Sequence, residues 1–236
     1  MTVDDGTWSP PPIGRVAAPL RDQVLEVVRQ GILDSRLRPG QRLVERELME
    51  QLGVSRATVR EVIARLASEG LVTNIPQRGA IVAVLTGEEA ADIYEMRASL
   101  EVLATQRFIE RVTPVQVAEL RAAFDAFAAA AEDGSLDQLA AKDAFYRVLF
   151  DGAASAPLTQ VITMLQSRVR LLRRTSLSAP GRARETVGEL RVLVEAIEAK
   201  DSEAAAEACA RHVRNAARTA LARMAEPGTT ARPERA

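Results

Sequence analysis

A chain of 236 residues is long enough for one large or two small domains with a real core, and its formal charge of −1 argues against a generic polyanion binder. A single cysteine, Cys209, excludes an internal disulfide framework and suits a reducing compartment. No apolar run approaches the ~20 residues that cross a bilayer, and the N-terminus carries Asp4 and Asp5 without a signal-peptide core, so a soluble cytoplasmic protein is expected.

Residues 1–14 contain Ser9-Pro10-Pro11-Pro12 and little that is apolar, so they read as a flexible arm around the lone Trp8. A helix is predicted from Pro19 to about Ser35, with Leu20, Val24, Val27, Val28 and Ile32 on one face. Pro39 and Gly40 then force a turn. Leu48, Met49 and Leu52 mark a short helix that Gly53 ends by taking the left-handed conformation. Ser55 is the expected cap of a second helix running to about Glu69. That helix buries Val59, Val62, Ile63 and Leu66 and shows Arg56, Thr58 and Arg60. After Gly70, β-prone runs at 71–75 and 80–85 flank Pro76-Gln77-Arg78-Gly79, a hairpin with a basic tip. Residues 15–84 therefore read as a winged helix-turn-helix whose second helix suits a DNA major groove. The same span holds eleven arginines against eight acids, so positive charge gathers at this end.

These residues also carry a family resemblance. The ordered runs E-R-E-L, L-G-V-S-R-x-x-V-R-E, R-L-x-x-E-G-L-V and a late R-G resemble the DNA-binding domain of the GntR family of bacterial transcription regulators. The resemblance implies that Arg46, Ser55, Arg56, Thr58 and Arg60 touch DNA, with Arg78 and Gly79 at the wing tip. Ala57 stands where the family often has a hydroxyl. Residue chemistry agrees: arginines early in a recognition helix fork onto guanine edges or phosphates, and hydroxyls suit phosphate oxygens.

Residues 85–89 read as a linker, and 90–226 as almost wholly helical. Ile93, Met96, Leu100 and Leu103 repeat at helical spacing, as do Val117, Leu120, Phe124 and Phe127 after Pro114. Further helices are predicted from about Leu136 to Phe150, Pro157 to Ser176, Arg184 to Lys200, and Ser202 (a candidate cap) to Met224. The fold class is thus mostly α: a winged helix-turn-helix followed by an all-α antiparallel bundle able to enclose a ligand, then a disordered tail at 227–236.

This half resembles the ligand-sensing domain of the FadR-type (FCD) branch of the GntR family, through residues 94–101, Phe145-Tyr146-Arg147-Val148-Leu149, Glu195-Ala196-Ile197, Asp201 and His212. Most members of that branch hold a divalent metal through one Asp and three His. Aligned on the resemblance, Lys142 stands at the Asp position, Tyr146 and Leu190 at two His positions, and only His212 remains. Asp143 is one residue off, about 100° around a helix, and pairs more simply with Arg147. A charged ammonium among the ligands opposes a cation, and one His, one Tyr, one Leu and one Lys do not make such a site, so no metal is expected. Instead Arg97, Lys142, Tyr146 and His212 are candidates for holding a carboxylate effector, with no other cofactor. The local alternatives are an Arg97–Glu101 pair, a core histidine, and a lysine whose stem reaches solvent. For Arg168, Arg170, Arg173, Arg174, Arg182 and Arg184 a solvated face is the default, with one of them lining the effector pocket as the alternative.

The expected function is a homodimeric, effector-responsive regulator, a repressor by the family's common mode, on a palindromic operator. Its alternatives are a constitutive DNA-binding protein whose bundle only dimerises, and a sensor of an uncharged or acyl ligand. An enzyme is disfavoured, because no nucleophile–base pair or phosphate-binding glycine loop is found.

Overall fold

The structure, a computed structural model, describes residues 20–34, 36–133 and 138–226. The expectations for the arm with Trp8, for helix ends at Pro19, Ser35 and Leu136, and for the tail lie outside them. The chain divides into two compact units, one closing at Leu85 and the other beginning at Thr86.

In the first unit, helix α1 (Leu20–Leu33) buries Val24, Val28 and Ile32, while Leu20, expected inside, lies exposed at its start. Helix α2 (Glu45–Leu52) buries Leu48 and Leu52 and stops at Gly53, whose φ of 65° lets its N–H bond the Met49 carbonyl. Ser55 turns the chain into helix α3 (Arg56–Ser68), its hydroxyl accepting from the Thr58 N–H at 3.2 Å. The Arg29 guanidinium ties α1 to the end of α3 through both oxygens of Glu69, at 2.9 and 2.7 Å. Strands β1 (Val72–Ile75) and β2 (Gly79–Val82) pair antiparallel, with Ile75 opposite Gly79. β2 is shorter than the run to Leu85, and Arg42 adds a bridge to Ile81 on its other side.

The second unit is helical. Thr86 caps helix α4 (Gly87–Arg111) in a reciprocal box with Glu89, so Glu88 and Glu89 belong to the helix and the expected five-residue linker shrinks. Thr113 and Gln116 repeat that box at helix α5 (Pro114–Glu132), with Pro114 in the first turn where its missing N–H costs nothing. Helices α6 (Gln138–Gly152), α7 (Ala156–Leu177), α8 (Arg182–Glu198) and α9 (Ser202–Ala225) follow. The side chain capping α9 is Asp201, accepting from the Ala204 N–H at 2.9 Å, not Ser202. α4 runs along α9 and touches α6 and α7, while α5 packs on α6 and α8. Phe108, Leu120, Phe124, Phe127, Phe145, Leu149, Leu190 and Val194 fill the core between them.

The expected apolar stripe of α4 is corrected by this packing. Met96 and Leu103 are 42% and 41% exposed, and the inner face runs instead through Ala90, Ile93, Tyr94, Arg97, Glu101, Ala104 and Phe108. Two charged residues sit at interior positions and neutralise each other there, so of the predicted stripe Ile93 lies inside and Leu100 half-buried, while Met96 and Leu103 face outward.

Gly152 closes α6 against the Phe108 ring, and a Cβ placed on it would lie 2.3 Å from Phe108 Cε2. That ring is fully buried and has no room to retreat. Gly152→Ala is therefore expected to destabilise the unit by about 1–3 kcal/mol, read as a lower urea midpoint with an unchanged slope.

Candidate functional site

In the first unit the exposed cations gather around the helix-turn-helix. Arg56 and Arg60 stand one turn apart on α3, and their Nε atoms lie 3.9 and 3.8 Å from the carboxylate of Glu45 on α2. Arg46 lies 3.6 Å from Glu50 and is 79% exposed. None of these exposed ion pairs is worth much in water, so the arginines are free to exchange a carboxylate for a phosphate or a base edge. Ser55 Oγ and Thr58 Oγ1 are 3.0 Å apart at the start of α3.

The wing tip is a tight turn. The Arg78 N–H bonds the Ile75 carbonyl at 3.1 Å, with Pro76 leading the turn and Gln77 held at a φ of 65°. Gly79 follows at 81°, and the Arg42 guanidinium lies 3.9 to 4.0 Å from where its Cβ would be. Arg42 thus joins Arg78 at the wing. Sequence reasoning missed it, since only its bridge to Ile81 brings it there.

In the second unit, charged and polar side chains from α4, α6, α7, α8 and α9 meet inside the bundle. Arg97 is 2% exposed and donates from Nε to Glu101 at 2.9 Å, as the local alternative had it. Its Nη1 and Nη2 have no hydrogen-bond partner. Burial opposes the charge on Glu101, but Arg97 and Arg173 overcome it and hold its carboxyl below the ordinary value. Arg173 lies 3.8 Å above the Tyr146 ring and 2.9 Å from Asp143. The Tyr146 hydroxyl has no partner, and burial, then Glu101, pushes its pKa well up.

Two local readings are corrected here. Asp143 pairs across to α7 with Arg170 and Arg173, each at 2.9 Å, instead of with Arg147 on its own helix. The arginine group is not a uniform solvated face, because Arg173 and Arg182 are buried. Arg182 is held by Glu189 at 2.7 and 2.6 Å, a carboxylate the sequence reading overlooked. The spacing Arg182, Glu185, Glu189 along one face of α8 was the available signal.

Lys142 is buried rather than reaching solvent, its ammonium 6.0 Å from the Phe127 ring centre. Burial, then Arg173 and Arg97, lowers its pKa well below the ordinary lysine value, which favours the neutral amine. Glu189 also binds His212 Nδ1 at 2.6 Å and Asn215 at 2.8 Å. Hydrogen bonds from His212 and Arg182 overcome burial and hold the Glu189 carboxyl at about 2. Burial, then Lys142, depresses His212 to about 4 in spite of Glu189. The neutral ring must then donate from Nδ1 to the carboxylate, leaving Nε2 as an unpartnered acceptor.

This arrangement fixes a pH dependence. The unfolded chain protonates this histidine near 6.5 and the folded chain resists until about 4. Between those values the unfolded state binds more protons, so stability falls as pH drops. Glu189 continues the loss from 4.5 towards 2. We expect the helical unit to lose about 2–3 kcal/mol between pH 6.5 and 4, measured by urea unfolding, and His212→Gln to flatten that window.

Arg97, Tyr146 and Arg173 reach a cleft of about 100 Å³ between α4, α6 and α7, whose other wall is Leu100, Phe150, Ile162, Leu165 and Val169. Lys142 and His212 do not line it. The donor set is a poor match to a divalent metal. Of the four positions at which the resemblance places ligands, His212 alone carries a residue type that commonly binds metals, beside a lysine, a phenol and a leucine. Among the described residues no group of three His, Cys, Asp or Glu is arranged to hold an ion.

Comparison with known proteins supports both units. Residues 20–82 match the model for bacterial regulatory proteins of the gntR family, and residues 92–215 match the FCD domain. An uncharacterised HTH-type transcriptional regulator of Agrobacterium vitis is 37% identical over 133 residues, 55% of this chain and 75% of that one. The regulator McbR of Escherichia coli is 29% identical over 170 residues, 71% and 77% of the two chains. In structure, McbR/YncC superposes with a TM-score of 0.71 at 26% identity, covering 84% of this chain and 95% of that one. A putative GntR regulator from Rhodococcus sp. RHA1 also gives 0.71, at 25% identity and 86% and 97% coverage. No described helix is long and apolar enough to cross a membrane. The chain belongs to the GntR family, with a DNA-binding winged domain and an FCD domain, and is a transcription regulator rather than an enzyme.

Proposed function

We propose that this regulator binds a palindromic operator as a homodimer, acts as a repressor in the cytoplasm, and responds to a carboxylate effector held in the helical unit without a metal. The observation that carries the effector is Arg97: a buried guanidinium with both terminal nitrogens unpartnered, among the residues that line a cleft. Unmet buried donors are costly, and a carboxylate satisfies this pair through two parallel bonds. Arg173, which lines the same cleft and is held by Asp143, adds a second guanidinium beside it. DNA contacts are assigned to Arg46, Ser55, Arg56, Thr58, Arg60, Arg78 and Gly79, with Arg42 added at the wing.

Dimerisation is supported by apolar side chains left exposed on two helices, Met96 and Leu103 on α4 and Val161 and Met164 on α7. Light scattering during gel filtration tests it, and a mass of one chain at micromolar concentration contradicts it. Footprinting tests the operator, where protection of two half-sites related by a twofold axis is expected, with affinity falling steeply in salt. Elemental analysis after incubation with zinc or nickel and desalting tests the metal-free site. Stoichiometric retained metal rejects it.

A further inference from the structure

We propose that Arg42 reads DNA shape: its guanidinium enters the minor groove beside the half-site and makes the regulator prefer A·T-rich flanks there. This rests on the operator-binding reading of the winged unit and gives that unit a reader outside its recognition helix and outside the turn of the wing.

Backbone geometry fixes where Arg42 points. Residues 40–43 form a short edge against β2. The Leu43 N–H donates to the Ala80 carbonyl at 2.8 Å, the Val82 N–H to the Gln41 carbonyl at 2.8 Å, and the Gly40 N–H to the Val82 carbonyl at 2.9 Å. Leu43 is buried, so Arg42, its neighbour in an extended run, faces the other way and is exposed. It shares that outer face with its bridge partner Ile81 and with Gly79, two residues nearer the tip. Gly79 has no side chain, and the guanidinium lies against it, with Nε 3.9 Å and Nη2 4.0 Å from where a Cβ would stand. A pinned backbone thus lays one positive charge along the wing.

That charge is available. Arg46, Arg56 and Arg60 each have a glutamate within 3.6, 3.9 and 3.8 Å, whereas among the described residues no carboxylate pairs with Arg42. Its positive potential therefore faces outward without a counter-charge.

Groove dimensions select the partner. With α3 in the major groove, the next minor groove lies about half of the ~34 Å helical turn away. The four-residue strands of the wing reach roughly 13 Å towards it. A groove ~6 Å wide admits a planar guanidinium but not two strands ~4.8 Å apart with their side chains. Reading then falls to a side chain that leans from the face of the hairpin. The groove is narrowest and most negative over A·T runs, and a guanidinium sheds water more readily than an ammonium.

The test begins with selection of a half-site by the full chain from a library of random-sequence duplexes. Fluorescence anisotropy then compares duplexes that carry this half-site with A·T, G·C or inosine·C pairs in the flank. Inosine·C keeps the major-groove edges of G·C but lacks its minor-groove amino group. The wild type is expected to bind A·T and inosine·C flanks about five- to tenfold more tightly than G·C flanks. Arg42→Ala should lose that preference, and Arg42→Lys should keep most of the affinity but little of the preference. Arg78→Ala should weaken all flanks alike. Thermal midpoints should hold in Arg42→Ala, since main-chain bonds alone fix the segment. Wild-type affinity and preference in Arg42→Ala, or no flank preference in the wild type, overturns the inference and leaves operator binding standing. So does inosine·C behaving as G·C, which puts the readout in the major groove, or a uniform loss repaired by lysine, which makes Arg42 a phosphate contact. A library that yields no enriched sequence overturns the operator reading, and this inference with it.

Discussion

Glu101→Ala is expected to destabilise the helical unit by about 3–5 kcal/mol, a large share of the margin that holds a domain folded. Glu101 is buried and lies 2.9 Å from Arg97 Nε and 3.8 Å from Arg173 Nη2. Removing its carboxylate leaves Arg97, 2% exposed, with an uncompensated charge and no hydrogen-bond partner for any of its three nitrogens. Arg173 fares better, because Asp143 still holds it. Glu101→Gln keeps the shape and one acceptor, so it should lose less than alanine. The order of thermal midpoints, wild type above Gln above Ala, checks the electrostatic origin. Equal losses for both variants would point to packing alone. A carboxylate ligand at the Nη edge of Arg97 should restore part of the midpoint in Glu101→Gln, since a bound anion supplies the missing counter-charge.

Arg56→Ala and Arg60→Ala are each expected to weaken operator binding about ten- to hundredfold, or ~1–3 kcal/mol. Both sit on the exposed face of α3, held only loosely by Glu45 at 3.9 and 3.8 Å, so the losses should appear in DNA affinity and not in stability. The two variants should also relax sequence preference, whereas Arg46→Ala and Arg78→Ala should weaken all sequences alike and lower the salt slope by about one. Fluorescence anisotropy with operator and scrambled duplexes at two salt concentrations separates these cases. A uniform loss for Arg56→Ala would reassign that side chain to the phosphate backbone.

The winged domain was readable because its signals are local. A glycine at a φ of 65°, a serine accepting from the N–H three residues on, and apolar residues at helical spacing each act within a few residues. They therefore mean the same thing in the sequence as in the fold. The bundle was readable as helices for the same reason, although its third capping residue proved to be Asp201 rather than its neighbour. That the chain holds a single histidine, fewer than the three of the family's usual ligand set, was also legible.

What the chain could not disclose locally is which charges go inside. Arg173 and Arg182 look like ordinary helix-surface cations until Asp143 from α6 and Glu189 from α8 meet them. The inner face of α4 carries Arg97 and Glu101, so counting hydrophobic residues chose Met96 and Leu103, which face outward. Lys142 was as readable for a solvent-reaching stem as for an interior amine. Burying a charge is tolerable only when opposite charge and donors arrive from other helices, and that balance is a property of the packed bundle. Sequence determined the two-part regulator and its basic recognition helix. Tertiary packing alone decided that one arginine keeps a buried edge without a hydrogen-bond partner.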